Sequence, residues 1–425
     1  MPQQEKTYCS STRQDSDPIR LDGSIGDLFR DHGERYIKIY KPPLHQIKLI
    51  RSIRICQSPA LGAKVLECKS CGHKKKIYLS CGNSQCPLCQ HHKRNLWQAK
   101  VSQKMLNVPY THTVFTIPHE LHKLARLNKR IIYGITMRAA WLCVKTVCKD
   151  PENVGGLPGM ITVLHTFGSD LKQHIHTHAL ITFGGIDHSG KWVWPKRKKK
   201  IAPFRQMCKE YRKAFIKLLK KEIANGKIKP VDNLEQILID VDKKRWNVRN
   251  GRPTMDTTII ERYLARYINR VAITRSRLKY IAHQDKLKST VQITYKDYRN
   301  QKDGELAPKA IKSIDPLIAI NQFMLHVLPP YLQKSRHYGL HAYQTWKKYK
   351  DNIPKSIKRN TDTVKNLFAI IKALLGIEPI QCENCGHTEF DMSIVSSDPT
   401  WIFNFITLPR LRAPPYQSKK SVILS

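Results

Sequence analysis

The chain has 425 residues and a formal charge of +41, from 74 Lys and Arg against 33 Asp and Glu. That length allows two or three domains and a substantial buried core. No apolar run approaches the ~18–20 residues needed to span a bilayer, and the polar N-terminus lacks a signal-peptide core, so a soluble protein of the cytoplasm, with no membrane partner, is expected. The positive excess concentrates polyanions at the surface, which makes nucleic acid the expected partner and binding salt-dependent.

Residues 1–25 are polar and aperiodic, the pattern of a flexible tail. From Ile25 to Cys56 apolar residues recur at helical spacing (Leu28, Phe29, Ile47, Leu49, Ile50), and Pro42-Pro43 predicts a break into two helices. A cysteine cluster follows. Five of the twelve cysteines, Cys68, Cys71, Cys81, Cys86 and Cys89, fall within 22 residues, which in a reducing cytosol favours metal over disulfides. Cys68-Lys-Ser-Cys71 and Cys86-Pro-Leu-Cys89 are two CxxC knuckles fourteen residues apart. That is close to zinc-ribbon spacing, so these four thiolates are expected to hold one structural Zn²⁺. A closed four-thiolate site has no open coordination position, so this ion folds the module rather than catalysing. Cys81, with His73, His91 and His92 nearby, is a substitute ligand, part of a second site, or a buried free thiol. Lys74, Lys75, Lys76, Lys93 and Arg94 surround the cluster and are expected to touch DNA, although a solvated face has the same composition. A basic helix is predicted over residues 91–106.

Tyr110 to Ile117 is rich in β-branched and aromatic residues and ends at Pro118, which predicts a strand. A helix is expected over Ile131 to Val147. Two strands follow, Ile161 to Phe167 and Ile175 to Phe183, joined through Gly168-Ser-Asp170 as an antiparallel hairpin and closed by Gly184-Gly185. Lys209 to Ile223 reads as a helix and Val291 to Tyr295 as a strand. Residues 301–315 read as a loop and Ile318 to Leu328 as a helix stopped by Pro329-Pro330. Further on, Cys382-Glu-Asn-Cys385 with His387 is a single knuckle that needs distant partners to hold a metal. The last thirty residues, with Pro409, Pro414 and Pro415, read as irregular.

Two motifs carry chemistry. In His174-Ile-His176-Thr-His178, side chains two apart share one face of a strand, so three imidazoles project together as metal ligands must. Neutral imidazoles suit Mn²⁺, Zn²⁺ or similar ions. The second motif is a predicted helix started by the capping box Thr258-Ile-Ile-Glu261. Tyr263 and Tyr267, four apart, share one face of it beside Arg262, Arg266 and Arg270. A free phenol titrates near ~10, so a metal and neighbouring cations would help it act as a phenolate. Together they suggest an enzyme that cuts DNA by tyrosine attack on phosphate. Periodicity alone favours a packing stripe of Tyr263, Leu264, Tyr267 and Ile268.

The His-Ile-His-Thr-His segment with Gly184-Gly185, and Tyr263-Leu-Ala-Arg-Tyr267-Ile-Asn-Arg-Val-Ala-Ile273, resemble the IS91-type transposases. These belong to the HUH (His-hydrophobic-His) superfamily with two catalytic tyrosines. Ser80-Cys81-Gly-Asn-Ser-Gln-Cys86-Pro-Leu-Cys89-Gln90 is similar to the zinc-binding domain of those enzymes. Further matches are Val114-Phe-Thr-Ile-Pro-His-Glu-Leu121, Leu164-His-Thr-Phe-Gly168, Tyr295-Lys-Asp-Tyr298 and Arg336-His-Tyr-Gly-Leu340. They span roughly residues 55–345, in the family's order.

The resemblance implies His176 and His178 as the metal pair, with Mg²⁺ or Mn²⁺, and Tyr263 and Tyr267 as nucleophiles. His174 is the first candidate for a third ligand, followed by His165 and Glu261. Arg266 and Arg270 join the DNA-contacting set. Thr177 replaces the usual bulky aliphatic, and Asn269 stands where the family commonly has His. The implied fold is α+β: an HUH-type antiparallel sheet covered by helices and preceded by a small zinc-binding module. The expected division is a tail at 1–25, a zinc-binding, DNA-contacting domain at 26–108, a catalytic domain at 109–345 and a C-terminal extension at 346–425. The implied activity is nicking and rejoining of single DNA strands at insertion-element ends through a 5′-phosphotyrosine, in a rolling-circle-like manner, close to the nucleoid. The alternatives are a plasmid replication initiator or relaxase of the same superfamily, or a non-catalytic zinc-dependent DNA-binding protein.

Overall fold

A computed structural model describes residues 23–89, 101, 105–255, 272–301, 305–354, 356–357 and 381–395. The tyrosine helix with its capping box, Lys93, Arg94, Arg266, Arg270, Asn269, His91, His92, most of the expected basic helix and the last thirty residues lie outside these. The fold is α+β with antiparallel sheets.

Helix α1 (Ile25–Tyr40) begins at Ser24, whose hydroxyl accepts from the Asp27 N–H while the Asp27 carboxylate accepts from the Ser24 backbone, a complete capping box. Pro42-Pro43 separates it from α2 (Leu44–Ile55), as the sequence predicts. A hairpin of β1 (Ala63–Cys68) and β2 (Lys74–Tyr78) follows.

The main sheet has five antiparallel strands in the order β12-β4-β5-β3-β8. They are β3 (Tyr110–Thr116), β4 (Gly159–Phe167), β5 (Gln173–Thr182), β8 (Asn247–Asn250) and β12 (Ser335–Gly339). A two-stranded ribbon, β6 (Gly185–Ile186) with β7 (Trp192–Val193), follows the glycine pair. On one face Phe115, Leu164, Ile175, Ala179 and Ile181 pack with the helices Lys129–Lys149 and Phe204–Ala224 in the largest core. Lys129–Lys149 is, among the described helices, long and apolar enough by length and composition to cross a membrane. The sequence holds no unbroken apolar run over this segment. Here the apolar residues are interleaved with polar ones, and Ile132, Met137, Ala140 and Val144 are wholly buried against the sheet.

A second sheet, in the order β11-β10-β9, comprises β9 (Leu278–Ile281), β10 (Thr290–Lys296) and β11 (Lys309–Ile314). β11 corrects the expected loop over 301–315. Its Lys-Ala-Ile-Lys-Ser-Ile alternates exposed and half-buried residues as an edge strand does, and pairing with β10 fixes it. The helix expected from Ile318 starts two residues earlier, at Pro316, because the Asp315 carboxylate accepts from the N–H groups of Leu317 and Ile318. The helix Pro316–Leu325, the second sheet and α1–α2 share one core that includes Phe29, Cys56, Cys86, Phe167 and Phe323. The expected N-terminal and catalytic domains are thus joined through buried side chains. Tyr36 donates to Asn321 at 3.0 Å and Gln46 to the Met324 carbonyl at 3.2 Å.

The C-terminal strand β13 (Phe390–Val395) pairs with β1, so the first sheet runs β13-β1-β2. Part of the expected C-terminal extension therefore completes the sheet of the N-terminal module.

Candidate active site

Strand β5 turns Ile175, Thr177, Ala179 and Ile181 into the helix-covered core, which leaves His176 and His178 on the opposite face. In the hairpin register His165 on β4 stands directly across from His176. The ligand nitrogens of His165, His176 and His178 lie within 4.8 Å of one another. His174 is the expected third ligand ahead of His165. The structure leaves His174 outside this cluster because residues 174 and 178 stand roughly 13 Å apart along a strand, whereas a cross-strand pair is only ~5 Å apart. The exposed His174 contributes its backbone instead, accepting from Nδ1 of His176 at 2.8 Å.

The Nδ1 of His178 lies 3.0 Å from Nε2 of His112 on β3, with the two rings stacked at 5.2 Å. Burial first, then the positive charge of Arg249, holds His112 far below the usual imidazole range, at about 3. A neutral His112 accepts from His178, so Nδ1 of His176 and of His178 is engaged and it is Nε2 of each that would hold an ion. His165 is buried with its ring stacked on Phe167 at 5.3 Å. Three neutral imidazoles, with no carboxylate in the cluster among the described residues, fit Mn²⁺ or a similar ion better than Mg²⁺.

The histidines line a cavity of about 740 Å³. Arg249, Arg277, Lys296 and Lys309 supply its positive charge, Tyr295 and Tyr298 supply phenol rings, and no Asp or Glu lines it among the described residues. Arg277 is anchored by donating to the carbonyls of Thr294, at 3.0 Å, and Ser169. Such a wall suits a phosphodiester chain. None of these cations, nor His112, stood out in the sequence, because they become neighbours only through the pairing of β3, β8, β10 and β11. Tyr263 and Tyr267 lie outside the described residues. The chain leaves the main sheet beside this wall: Gly251 donates to the His112 carbonyl at 2.6 Å and Thr254 bridges Tyr110.

The four cysteines expected to share an ion do not come together. Cys86 and Cys89 meet Cys56 and Cys81, while Cys68 and Cys71 meet Cys382 and Cys385. The hairpin is the reason. Its strands hold the Cys68–Cys71 turn roughly 15–20 Å from the end where Leu79 accepts from Gln57 and donates to Gly62. In the first group Sγ of Cys81 and Cys89 are 3.7 Å apart and the Cys81 N–H lies 3.5 Å from Cys56 Sγ. Tetrahedral thiolates at ~2.3 Å from zinc stand ~3.8 Å apart, so the set fits Zn²⁺. Cys56 and Cys81 raise the thiol of Cys86, an unfavourable crowding that a cation relieves. Gln85, inside this loop, donates to the Leu328 carbonyl at 3.2 Å and accepts from the Leu328 N–H at 2.6 Å. Lys74 and Lys75 pair with Glu67 and Glu383, and Lys76 lies over the Tyr78 ring. All three are exposed enough to exchange these weak contacts for phosphate.

Residues 159–349 match the family described as "Putative transposase", and residues 28–117 match the "Transposase zinc-binding domain". "Putative transposase y4qJ" of Sinorhizobium fredii is 31% identical over 326 residues, which cover 74% of this chain and 79% of that protein. "Transposase for insertion sequence element IS801" of Pseudomonas savastanoi pv. phaseolicola is 25% identical over 357 residues, covering 80% and 82%. The chain belongs to the IS91 family of transposases. No solved structure matches it. As an IS91-family transposase it binds, cuts and rejoins DNA, and it carries an N-terminal zinc-binding domain. The transposase match contains all three clustered histidines and both tyrosines of the sequence motif. The zinc-binding match contains the whole Cys56, Cys81, Cys86 and Cys89 group, together with Cys68 and Cys71.

Proposed function

We propose that this transposase nicks and rejoins single DNA strands at the ends of its element, with Tyr263 and Tyr267 as nucleophiles. The observation that carries the reading is the triad of imidazoles on one wall of a cavity that is lined by cations and free of carboxylates among its described residues. His165, His176 and His178 would hold the divalent ion, which when bound polarises the scissile phosphate and balances charge on it. Arg249, Arg277, Lys296 and Lys309 seat the strand by its phosphates, and Tyr295 and Tyr298 offer faces for unpaired bases.

In the cleavage step a tyrosine oxygen bonds to phosphorus and the bond from phosphorus to the 3′ oxygen breaks. The 5′ phosphate stays on tyrosine and the departing oxygen takes a proton as a free 3′-OH. Rejoining reverses these bonds, so no external energy source is needed, and the second tyrosine accepts the other strand in a rolling-circle-like exchange. Residues 26–108, with Lys74, Lys75, Lys76, Lys93 and Arg94, serve as a DNA-contacting unit for the catalytic residues 109–345. Arg266 and Arg270 serve the tyrosine segment. The site of action is the nucleoid, in the cytoplasm.

The test is cleavage of single-stranded element ends with Mn²⁺, Mg²⁺ or chelator, followed by peptide mass spectrometry of the adduct. His176→Ala and His178→Ala should each abolish nicking. The adduct should map to Tyr263 or Tyr267 and vanish when both are Phe. DNA on any other residue ends the proposal, and absence of metal-dependent cleavage would leave a non-catalytic DNA-binding protein.

A further inference from the structure

The second cysteine group, Cys68, Cys71, Cys382 and Cys385, is separate from the first and lies only half inside the matched domains. The zinc-binding match ends at residue 117, and the transposase match at 349, so neither reaches Cys382 or Cys385. Yet the two ends of the chain carry the same hexapeptide pattern: Cys68-Lys-Ser-Cys71-Gly72-His73 and Cys382-Glu-Asn-Cys385-Gly386-His387.

The two segments fold identically. Gly72 and Gly386 adopt φ of 69° and 74°, the left-handed region that favours glycine, although neither has a neighbour that a side chain would strike. In each, the glycine N–H donates to the carbonyl of the first cysteine, at 2.9 and 2.8 Å. The first cysteine's N–H in turn donates to the carbonyl of the histidine, at 2.9 and 2.8 Å. The second cysteine accepts from the backbone N–H two residues on, His73 for Cys71 and His387 for Cys385.

The two turns face each other. Sγ of Cys68 is 3.6 Å from that of Cys385, and Sγ of Cys71 is 3.5 Å from that of Cys382. These separations are near the ~3.8 Å edge of a zinc tetrathiolate and far above the ~2.05 Å of a disulfide. The first turn joins β1 to β2, the second leads into β13, and β13 lies against β1 with Cys68 opposite Phe390. Lys75 pairs with Glu383 and Lys69 with Glu389 across the same junction.

We propose that Cys68, Cys71, Cys382 and Cys385 bind a second zinc ion, completing a ribbon whose two knuckles come from opposite ends of the chain. The site is closed and structural, and it staples the C-terminal strand to the N-terminal module. The inference does not depend on the strand-transfer reading above.

Full-length protein loaded with Co²⁺ under reducing conditions tests it, because the thiolate-to-cobalt band counts sulfur-bound ions and ignores any ion on the histidines. The expected result is two sulfur-bound ions per chain. Cys382→Ser with Cys385→Ser should halve the band, and so should Cys86→Ser with Cys89→Ser. Hydrogen exchange over 63–68 should rise in the first variant while 129–149 stays protected. A wild-type count of one, or a full band in the Cys382/Cys385 variant, overturns the proposal. So does a thiol titration in denaturant, without reductant, that finds these four cysteines oxidised. The wild-type count decides even if a variant fails to fold.

Discussion

His112 orients His178 without joining the histidine cluster. Its 3.0 Å contact fixes the face that His178 presents. His112→Ala is expected to weaken Mn²⁺ binding by about 10–100-fold, the usual cost of losing such a partner, and excess Mn²⁺ should restore cleavage. An unchanged metal titration would show that His112 only packs. His165→Ala should cost more cleavage than His174→Ala, since only His165 joins the cluster. His326 plays a comparable part at the hairpin's far end. Its Nε2 donates to the Leu171 carbonyl at 2.9 Å and its Nδ1 accepts from Thr166 at 3.2 Å. Burial lowers it to about 4 against the opposing pull of the Leu171 carbonyl, and the positive charge of Lys129 adds to the lowering. Its folded value thus lies below the unfolded ~6.5, so the neutral form's stability is complete above ~6.5 and lost as pH falls towards about 4. The loss is on the order of 3 kcal/mol. Urea unfolding at pH 7 and pH 4.5 should show a smaller pH difference in His326→Gln than in wild type. The paired histidines of β5 were legible because alternation is a local rule, whereas His165 stood only behind His174 as a candidate and His112 not at all, because register is not local.

Hairpins and glycines do the aiming at the next scale up. The β4–β5 hairpin and the helices covering it were readable from β-branched runs, turn glycines and helical spacing. β1, β2, β12 and β13 were missed because they are short and half-exposed, and they gain their hydrogen bonds only from distant partners. The repeated Cys-x-x-Cys-Gly-His pattern was available in the sequence, and it pairs the ends once both copies are seen. Gly339 tests how tightly one such partner is held. Its φ is 55°, and a Cβ there would stand 1.9 Å from the Pro158 carbonyl oxygen at the β4–β12 edge. Gly339→Ala should therefore destabilise the fold by at least about 2 kcal/mol, strain and clash together. A urea midpoint shifted by less than a tenth would refute the contact.

Charge was the property of the whole molecule most plainly written in the sequence, but its placement was not. The lysines and arginines of the cavity are scattered between positions 249 and 309, so composition revealed the partner's sign and only the fold showed where it lies. Binding to single-stranded DNA should weaken linearly in log–log salt plots, with ~0.7 of slope per neutralised phosphate. Replacing exposed Lys296 and Lys309 by Gln should lower the slope by roughly 1.4 and leave duplex affinity of the N-terminal module nearly unchanged. A slope that does not move would place the strand elsewhere.

The pairing of β1 with β13 also sets a clock. Cys71 and Cys382 are 311 residues apart, and a ribosome adding ~5–20 residues per second needs roughly 15–60 s to make that stretch. Throughout that interval the first knuckle is an open two-thiol hook, exposed to any soft metal or oxidant it meets. Every nascent or prematurely terminated chain thus lacks a finished N-terminal sheet, however well its histidine hairpin has folded. Completion of the molecule at its beginning is therefore a signal that its end has been made.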